Sequence, residues 1–200
     1  MLLGSAGYIV WSYGKHRNRI SALAYTDPLT QEGNFASVKE VYATMTNGPK
    51  YLVAMDIARF SIVSIDRGRI GSNNIIIEIW QLIKAALGKR DMGCHAEHDE
   101  FIMCIDCASR EALEEKLNNL DLSIQALAKR IGVPSLRAYF GVVELSPKDD
   151  LEARLLEAYQ AKHDVKKTKL SNIGYFSTAN TEALKEKEKL LAAVPEALEN

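Results

Sequence analysis

Residues Gly93 to Asp106, GCHAEHDEFIMCID, crowd two histidines, four acids and two cysteines into fourteen positions. Three kinds of chemistry suit such a mixture. His95 and His98, with the carboxylates beside them, are ligands that zinc or another divalent ion accepts. A turn entering a strand, however, does not converge its side chains as one helix face does. Nor does another segment supply a good third ligand, since His16 and His163 sit in unrelated basic contexts. Cys104-Ile105-Asp106-Cys107 spells the Cys-x-x-Cys of thiol redox sites, which need a helix N-terminus to stabilise a thiolate. Cys104 falls instead in an apolar run, where a cysteine acts as a small hydrophobe. Asp99 and Glu100, adjacent at the tip of the turn, suit a hard cation such as Mg²⁺ if a carboxylate joins them from a neighbouring strand end. Asp56, closing the apolar run Tyr51 to Met55, is such a residue, and acids so placed hold a metal bound to nucleotide phosphates. Acids are usually exposed, so solvated turn residues are an equal alternative.

The elements that position these groups follow from periodicity. Phe35, Val38, Val41 and Tyr42 have helical spacing over Phe35 to Met45, stopped by Asn47-Gly48-Pro49. KYLVAMDIA reads as a buried strand ending at Asp56. Ile75 to Leu87 reads as a strongly apolar helix with GSNN as its cap region. Beyond the turn, Phe101, Met103 and Ile105 share one face of a strand, and Ile102 and Cys104 the other. Arg110 to Ile131 is a long amphipathic helix, SLRAYFGVVEL a strand, Leu151 to Lys162 a helix and NIGYFST a last strand. Strands alternating with helices around a central hairpin predict an α/β (α+β) domain, a mixed sheet covered by helices.

The bulk numbers exclude some functions. A formal charge of −1 argues against a nucleic-acid binder that relies on a strong basic field. Three cysteines in 200 residues do not make a disulfide framework, and a reducing cytosol is the simpler compartment. Leu2 to Tyr13 (LLGSAGYIVWSY) is apolar or small, and the basic GKHRNR follows it. Charge after the apolar part is the reverse of a signal peptide; it fits the last turns of a membrane helix with cytoplasmic positive charge. A short apolar helix packing on a partner is the other reading. Residues 1–24 are therefore expected to form the end of a membrane helix and a connecting helix, and 180–200 a charged linker helix around Glu182 to Ala193.

YTDPLTQEGNF, LVAMDIARFSIVSIDRGRIGSNNIII, HAEHDEFIMCI and YQAK occur in the order and spacing of GGDEF domains, the diguanylate cyclase domains of bacterial cyclic di-GMP signalling. The stretch that resembles them spans Tyr25 to Phe176, within a domain of residues 25–179. The resemblance implies a central five-stranded sheet surrounded by helices, related to nucleotidyl cyclases. It also implies two GTP-loaded subunits meeting face to face, Mg²⁺, and Asp99 and Glu100 as the candidates for catalysis. Asp56 matches the first acid of the family's metal-binding block, and the backbone of Ile57 would face the metal with Asp99 and Glu100. The block's second acid position is Ala58 and its lysine position is Ser61, while Phe60 matches the family phenylalanine. The guanine-reading asparagine and aspartate positions are Ser64 and Asn73. The signature itself reads Glu97-His98-Asp99-Glu100-Phe101, so its acids survive and its two glycines do not. Lys162 matches a lysine near the phosphates, and Lys166 falls where an arginine is usual.

These departures have physical consequences. Glycines let backbone approach a nucleotide closely, and Glu97 and His98 place side chains there instead. A Glu97 carboxylate about 4 Å from a phosphate costs roughly 4 kcal/mol at an effective dielectric near 20. Ser64 and Asn73 weaken guanine reading by roughly 1 to 3 kcal/mol each if the site is buried. The family's inhibitory product site keeps Asp91, but its arginine position is Gly88, with Lys89 and Arg90 nearby. Pro195 to Asn200 (PEALEN) contains the letters of the EAL phosphodiesterase domain that often follows GGDEF domains, and the helix before it resembles a linker into one. The expectation is a degenerate GGDEF domain with little cyclase activity, a regulatory module that binds GTP or dimerises, in the cytoplasmic part of an inner-membrane protein. An active diguanylate cyclase is the alternative.

Overall fold

A computed structural model describes residues 24–169 and 171–177. The expected membrane segment, nearly all of the connecting helix and the linker helix lie outside the described residues. Among the described residues no helix is long and apolar enough to cross a membrane. After an isolated bridge between Thr26 and Gly33, the order is α1 (Phe35–Thr44), β1 (Tyr51–Ala58), α2 (Phe60–Ala86), β2 (Met92–His95), β3 (Glu100–Ile105), α3 (Arg110–Arg130), β4 (Arg137–Glu144), α4 (Leu151–Thr168) and β5 (Ile173–Tyr175). The strands form one mixed sheet in the order β2-β3-β1-β4-β5, antiparallel except for the β4–β5 pair.

Both faces of the sheet are covered, which is why β1 reads as a continuous apolar run and not as an alternation. Val53, Met55 and Ile57 of β1 and Phe101, Met103 and Ile105 of β3 pack with α2 and α3. Leu52 and Ala54, with Ile102 and Cys104, pack on the other face with α1 and α4. Cys104 and Cys107 therefore belong to opposite cores and do not form a dithiol site.

Three boundaries differ from the sequence expectation. Strand β1 runs two residues past Asp56, because Ile57 is fully buried and both Ile57 and Ala58 pair with β4. Helix α2 begins at Phe60, not Ile75. Phe60 and Val63 already bury one face, and GSNN, read as a cap region, lies within helical turns; a kink at Gly68 (φ 63°, ψ −175°) divides the helix into two segments. Helix α4 continues six residues beyond Lys162. Neither Gly nor Pro interrupts it, and it ends only at Lys169, whose φ of 54° is left-handed.

The last difference places the site. Leu151, Leu155, Ala158, Lys162 and Val165 are buried at spacings of four and three, so Lys162 occupies a core-facing position. Helix α4 lies unusually close to the sheet at Gly141 of β4 and Gly174 of β5, which pair with each other. A Cβ on Gly141 would stand 2.7 Å from Lys162 Cβ and closer still to the Ala158 carbonyl oxygen. One on Gly174 would meet the Ala161 carbonyl oxygen at 2.6 Å.

Candidate functional site

The acids and lysines meet where β1, β3 and α4 come together. The β1–β3 register sets Asp56 opposite Glu100, and alternation along both strands turns the two carboxylates toward α4. Lys162 and Lys166, one helical turn apart, project back at them. Lys166 Nζ donates to Asp56 Oδ2 at 2.7 Å, and Lys162 Nζ donates to Glu100 Oε1 at 2.6 Å and lies 3.4 Å from Asp56 Oδ2. Lys162 is 5% exposed, with its ammonium 4.6 Å from the centre of the Tyr159 ring. Asp56 is 6% exposed, and its Oδ1 is buried without a hydrogen-bond partner. Such an atom costs about 1–3 kcal/mol unless something outside the free protein satisfies it.

Asp99, at the end of the turn, accepts a hydrogen bond from the Ile57 amide at 3.2 Å. Burial, and then the negative charge of Asp56, push its carboxyl above the usual carboxylate range. Two acids that resist sharing a site, one with an orphaned oxygen, suit a bound cation. The described residues contain no group of three or more His, Cys, Asp or Glu side chains placed to hold a metal. Asp56 and Asp99 are the two hard-oxygen donors here, fewer than a closed protein site uses, and an ion such as Mg²⁺ held by them would take the rest of its shell from water or ligand oxygens.

Beside them opens a cavity of about 510 Å³. Asp56, Glu100, Lys162 and Lys166 form its wall with Tyr159, and His163 and Lys167 complete it from α4. Of the positions singled out in the sequence, Asp56, Glu100, Lys162 and Lys166 are brought together, and Asp99 is tied to Ile57 beside them. Phe60 is buried at the start of α2, in the core on the opposite face. Ser64, Glu97 and His98 are exposed and Asn73 is half-buried; none of these five lines the cavity. Tyr159, His163 and Lys167 were missed. Their signal was position on a helix that continues: relative to Lys162 they stand at i−3, i+1 and i+5, and Tyr159, His163 and Lys167 follow one another at spacings of four.

The turn is held from behind. His98 has a left-handed φ of 52°, a conformation that costs a non-glycine residue. His95 Nε2 lies 3.1 Å from the His98 carbonyl oxygen, and Nδ1 lies 3.2 Å from Asp27 Oδ1. The His95 ring packs edge-on against Phe101 with centroids 5.3 Å apart. Burial alone would raise the Asp27 carboxyl, but the Thr30 amide and hydroxyl and the His95 ring hold it below the usual range. His95 thus faces Asp27 through Nδ1 and the turn through Nε2, and among the described residues no group of three or more His, Cys, Asp or Glu joins it and His98 in a metal site. Asp91, the surviving acid of the inhibitory motif, is likewise taken up internally. It accepts from the Gly88 amide at 2.7 Å and the Asp106 amide at 2.8 Å, and it pairs with Lys116.

No protein-family model and no curated protein matches the chain by sequence. Solved structures do match by fold. The coiled coil and GGDEF domain of DgcB from Caulobacter crescentus superposes with a TM-score of 0.70 at 15% identity, over 86% of this chain and 96% of that one. The diguanylate cyclase SiaD from Pseudomonas aeruginosa, in complex with its activator SiaC, matches with a TM-score of 0.64 at 22% identity, over 86% of this chain and 71% of that one. The S helix-GGDEF-EAL portion of Vibrio cholerae LapD, bound to c-di-GMP, matches with a TM-score of 0.66 at 14% identity, over 83% of this chain and 40% of that one. With its five-stranded mixed sheet and the acid turn between β2 and β3, the chain has the fold of the GGDEF domains.

Proposed function

We propose that this chain is a regulatory module of cyclic di-GMP signalling that binds a magnesium-complexed nucleoside triphosphate such as GTP without turning it into cyclic dinucleotide. The observation that carries the reading is Asp56: a buried carboxylate with one unpartnered oxygen, in a cavity lined by Lys162, Lys166 and Lys167. Lysines on one helix face supply charge-assisted contacts to phosphates, and Asp56 and Asp99 supply the hard oxygens that Mg²⁺ takes. Bound Mg²⁺ would neutralise phosphate charge. The protein's own part is to orient the phosphates with Lys162 and Lys166 and to hold the acid turn through Asp27 and His95.

Two features oppose turnover. Side chains stand at Glu97 and His98, where backbone would have to approach a substrate. The residues expected to fix the base, Ser64 and Asn73, lie outside the cavity. An exposed serine and a half-buried asparagine hold no second substrate in line for attack. In the same reading the segment Leu2 to Tyr13 anchors the module at the inner membrane with GKHRNR on the cytoplasmic side. The module pairs as a homodimer and acts on a neighbouring EAL-type phosphodiesterase domain. The Asp27–His95–His98 contacts are the path from the N-terminal side to the acid turn.

The test is to titrate the purified chain with GTP in the presence of Mg²⁺ by calorimetry and to assay the same sample for cyclic di-GMP. Binding without product is the expected result. Binding with product would make the chain a cyclase, and no binding at millimolar GTP would leave a structural or dimerising role.

A further inference from the structure

A second group of charges gathers at the other end of the sheet from Asp56. Tyr51, the first residue of β1, pairs with Ile105 on one side and Glu144 on the other. One step earlier the main chain still follows the ladder: the Lys50 amide donates to the Ile105 carbonyl, and the Leu145 amide to the Lys50 carbonyl. The register therefore sets Lys50 between Asp106 and Leu145. Alternation gives these positions the face of Leu52 and Cys104, the one that α1 and α4 cover. Arg90, from the turn before β2, joins them through Asp106, 3.0 Å away. Asp91, the acid that survives from the inhibitory motif, is engaged elsewhere, by Lys116 of α3.

These residues surround a cavity of about 490 Å³, with the Asn47-Gly48-Pro49 loop and Pro147 around it. Its polar side is positively charged. Arg90 is braced from two segments, since Nη2 donates to the Asn47 carbonyl oxygen at 2.9 Å and Nη1 pairs with Asp106 Oδ2. A guanidinium carries five N–H donors in a fixed plane, more than these two contacts use. Among the described residues Asp106 is the one acid of this wall, and Arg90 takes it, so the exposed Lys50 adds a charge that the wall does not balance. The other side is apolar and fixed. The buried Tyr42 ring is pressed by Gly48, where a Cβ would meet it at 3.0 Å, and its hydroxyl already donates to the Ser146 carbonyl oxygen at 3.0 Å. Pro49, Leu145 and Pro147 extend that surface. Small-molecule sites have this make-up, apolar walls with a few placed polar groups in roughly 300–1,000 Å³.

We infer that this cavity binds a small organic anion, with its oxyanion head on Arg90 and Lys50 and its apolar body against Tyr42, Leu145 and the two prolines. The planar fork of Arg90 matches the paired oxygens of a carboxylate or phosphate. A bare inorganic anion would leave the apolar wall uncovered, and a neutral ligand would leave the Lys50 charge unmatched. The test is an amide chemical-shift titration of the isotope-labelled 200-residue chain, without Mg²⁺ and at one ionic strength, using phenyl phosphate and inorganic phosphate as probes. Phenyl phosphate should shift the amides of Gly48, Lys50 and Leu145 and saturate, and inorganic phosphate should bind there at least about tenfold more weakly for want of the ring. Lys50→Ala, at an exposed side chain, should weaken phenyl phosphate by about tenfold. Lys166→Ala, in the cavity beside Asp56, should leave these shifts as they are. Shifts at Gly48 and Lys50 that do not saturate by about 10 mM probe, or that Lys50→Ala leaves unchanged, would overturn the inference. So would inorganic phosphate binding as tightly as phenyl phosphate, or shifts confined to the surroundings of Asp56 and lost in Lys166→Ala.

Discussion

Gly141→Ala probes the contact that puts the lysines in place. The added methyl would sit 2.7 Å from Lys162 Cβ and closer to the Ala158 carbonyl, and both are parts of the α4 main chain or fixed to it. Backbone cannot rotate out of the way as a side-chain tip can, so α4 must lift from the sheet. Overpacking costs about 1–3 kcal/mol, and an obstacle made of backbone belongs at the upper end. At about 2–4 °C per kcal/mol for a chain of this size, the melting temperature should fall by roughly 6–12 °C. Gly132→Ala is the matched control. Gly132 has a left-handed φ of 76° just past α3, and a Cβ there meets nothing within 4 Å. Its cost is conformational only, about 1–2 kcal/mol, or roughly 2–8 °C. The two variants also separate in function: lifting α4 draws Lys162 and Lys166 away from Asp56, so Gly141→Ala should weaken magnesium–GTP binding and Gly132→Ala should not. Thermal melts followed by calorimetry on both would decide. A Gly141→Ala protein as stable as wild type, or one that binds normally after a large loss of stability, would refute the argument from close approach.

Asp27→Asn should cost about 1–2 kcal/mol at neutral pH, since charge-assisted bonds from Thr30 become neutral ones. The folded Asp27 carboxyl lies below its unfolded value, so its contribution is present above the ordinary carboxylate range and is lost as pH falls through the folded value. Urea melts at pH 7 and pH 3 should therefore differ less for the variant than for wild type. Asp91→Ala should cost about 2–3 kcal/mol by urea denaturation, because it strands two amide donors and leaves Lys116 without its partner. Cys94 and Cys104 are fully buried, and burial pushes both thiols up to about 12, so a thiol reagent should label neither at pH 8 until denaturant is added.

The elements legible in the sequence were those whose periodicity both faces of the sheet enforce. The alternation of Phe101, Met103 and Ile105 against Ile102 and Cys104 predicted which core each side chain enters. The expected neighbourhood of Asp56 and Glu100 followed from placing acids at adjoining strand ends, and the register confirms it. What misled was local punctuation. The polar GSNN run looked like a helix start, whereas it lies inside helical turns beyond the kink at Gly68, and the apolar face already begins at Phe60. The helix over the lysines was expected to stop at Lys162, whereas α4 runs on to Thr168. Lys162 is instead a buried cation facing two carboxylates, a role that only the packing of α4 against Gly141 and Gly174 reveals. Asp27 and His95 lie 68 positions apart in sequence, and no local pattern links them.

The acid turn carries electrostatic strain that a ligand would relieve. Asp56 is offset by two lysines, yet Asp99 close by remains pushed up by burial and by the Asp56 charge. A raised carboxyl is a cost of folding that is absent at low pH, where the group is protonated in both states. The cost appears as pH rises through the unfolded value and reaches its full size above the folded one. Asp99→Asn removes that charge while an amide oxygen can still accept the bond from the Ile57 amide. The free protein should then melt at a higher temperature than wild type at pH 7, with the difference shrinking toward pH 3. If the strain is kept for a cation, the same variant should lose magnesium-dependent nucleotide binding. A variant that is stabilised and also binds normally would show that Asp99 is strained for no purpose in binding. One that is destabilised at pH 7 would show that the charge of Asp56 does not reach it.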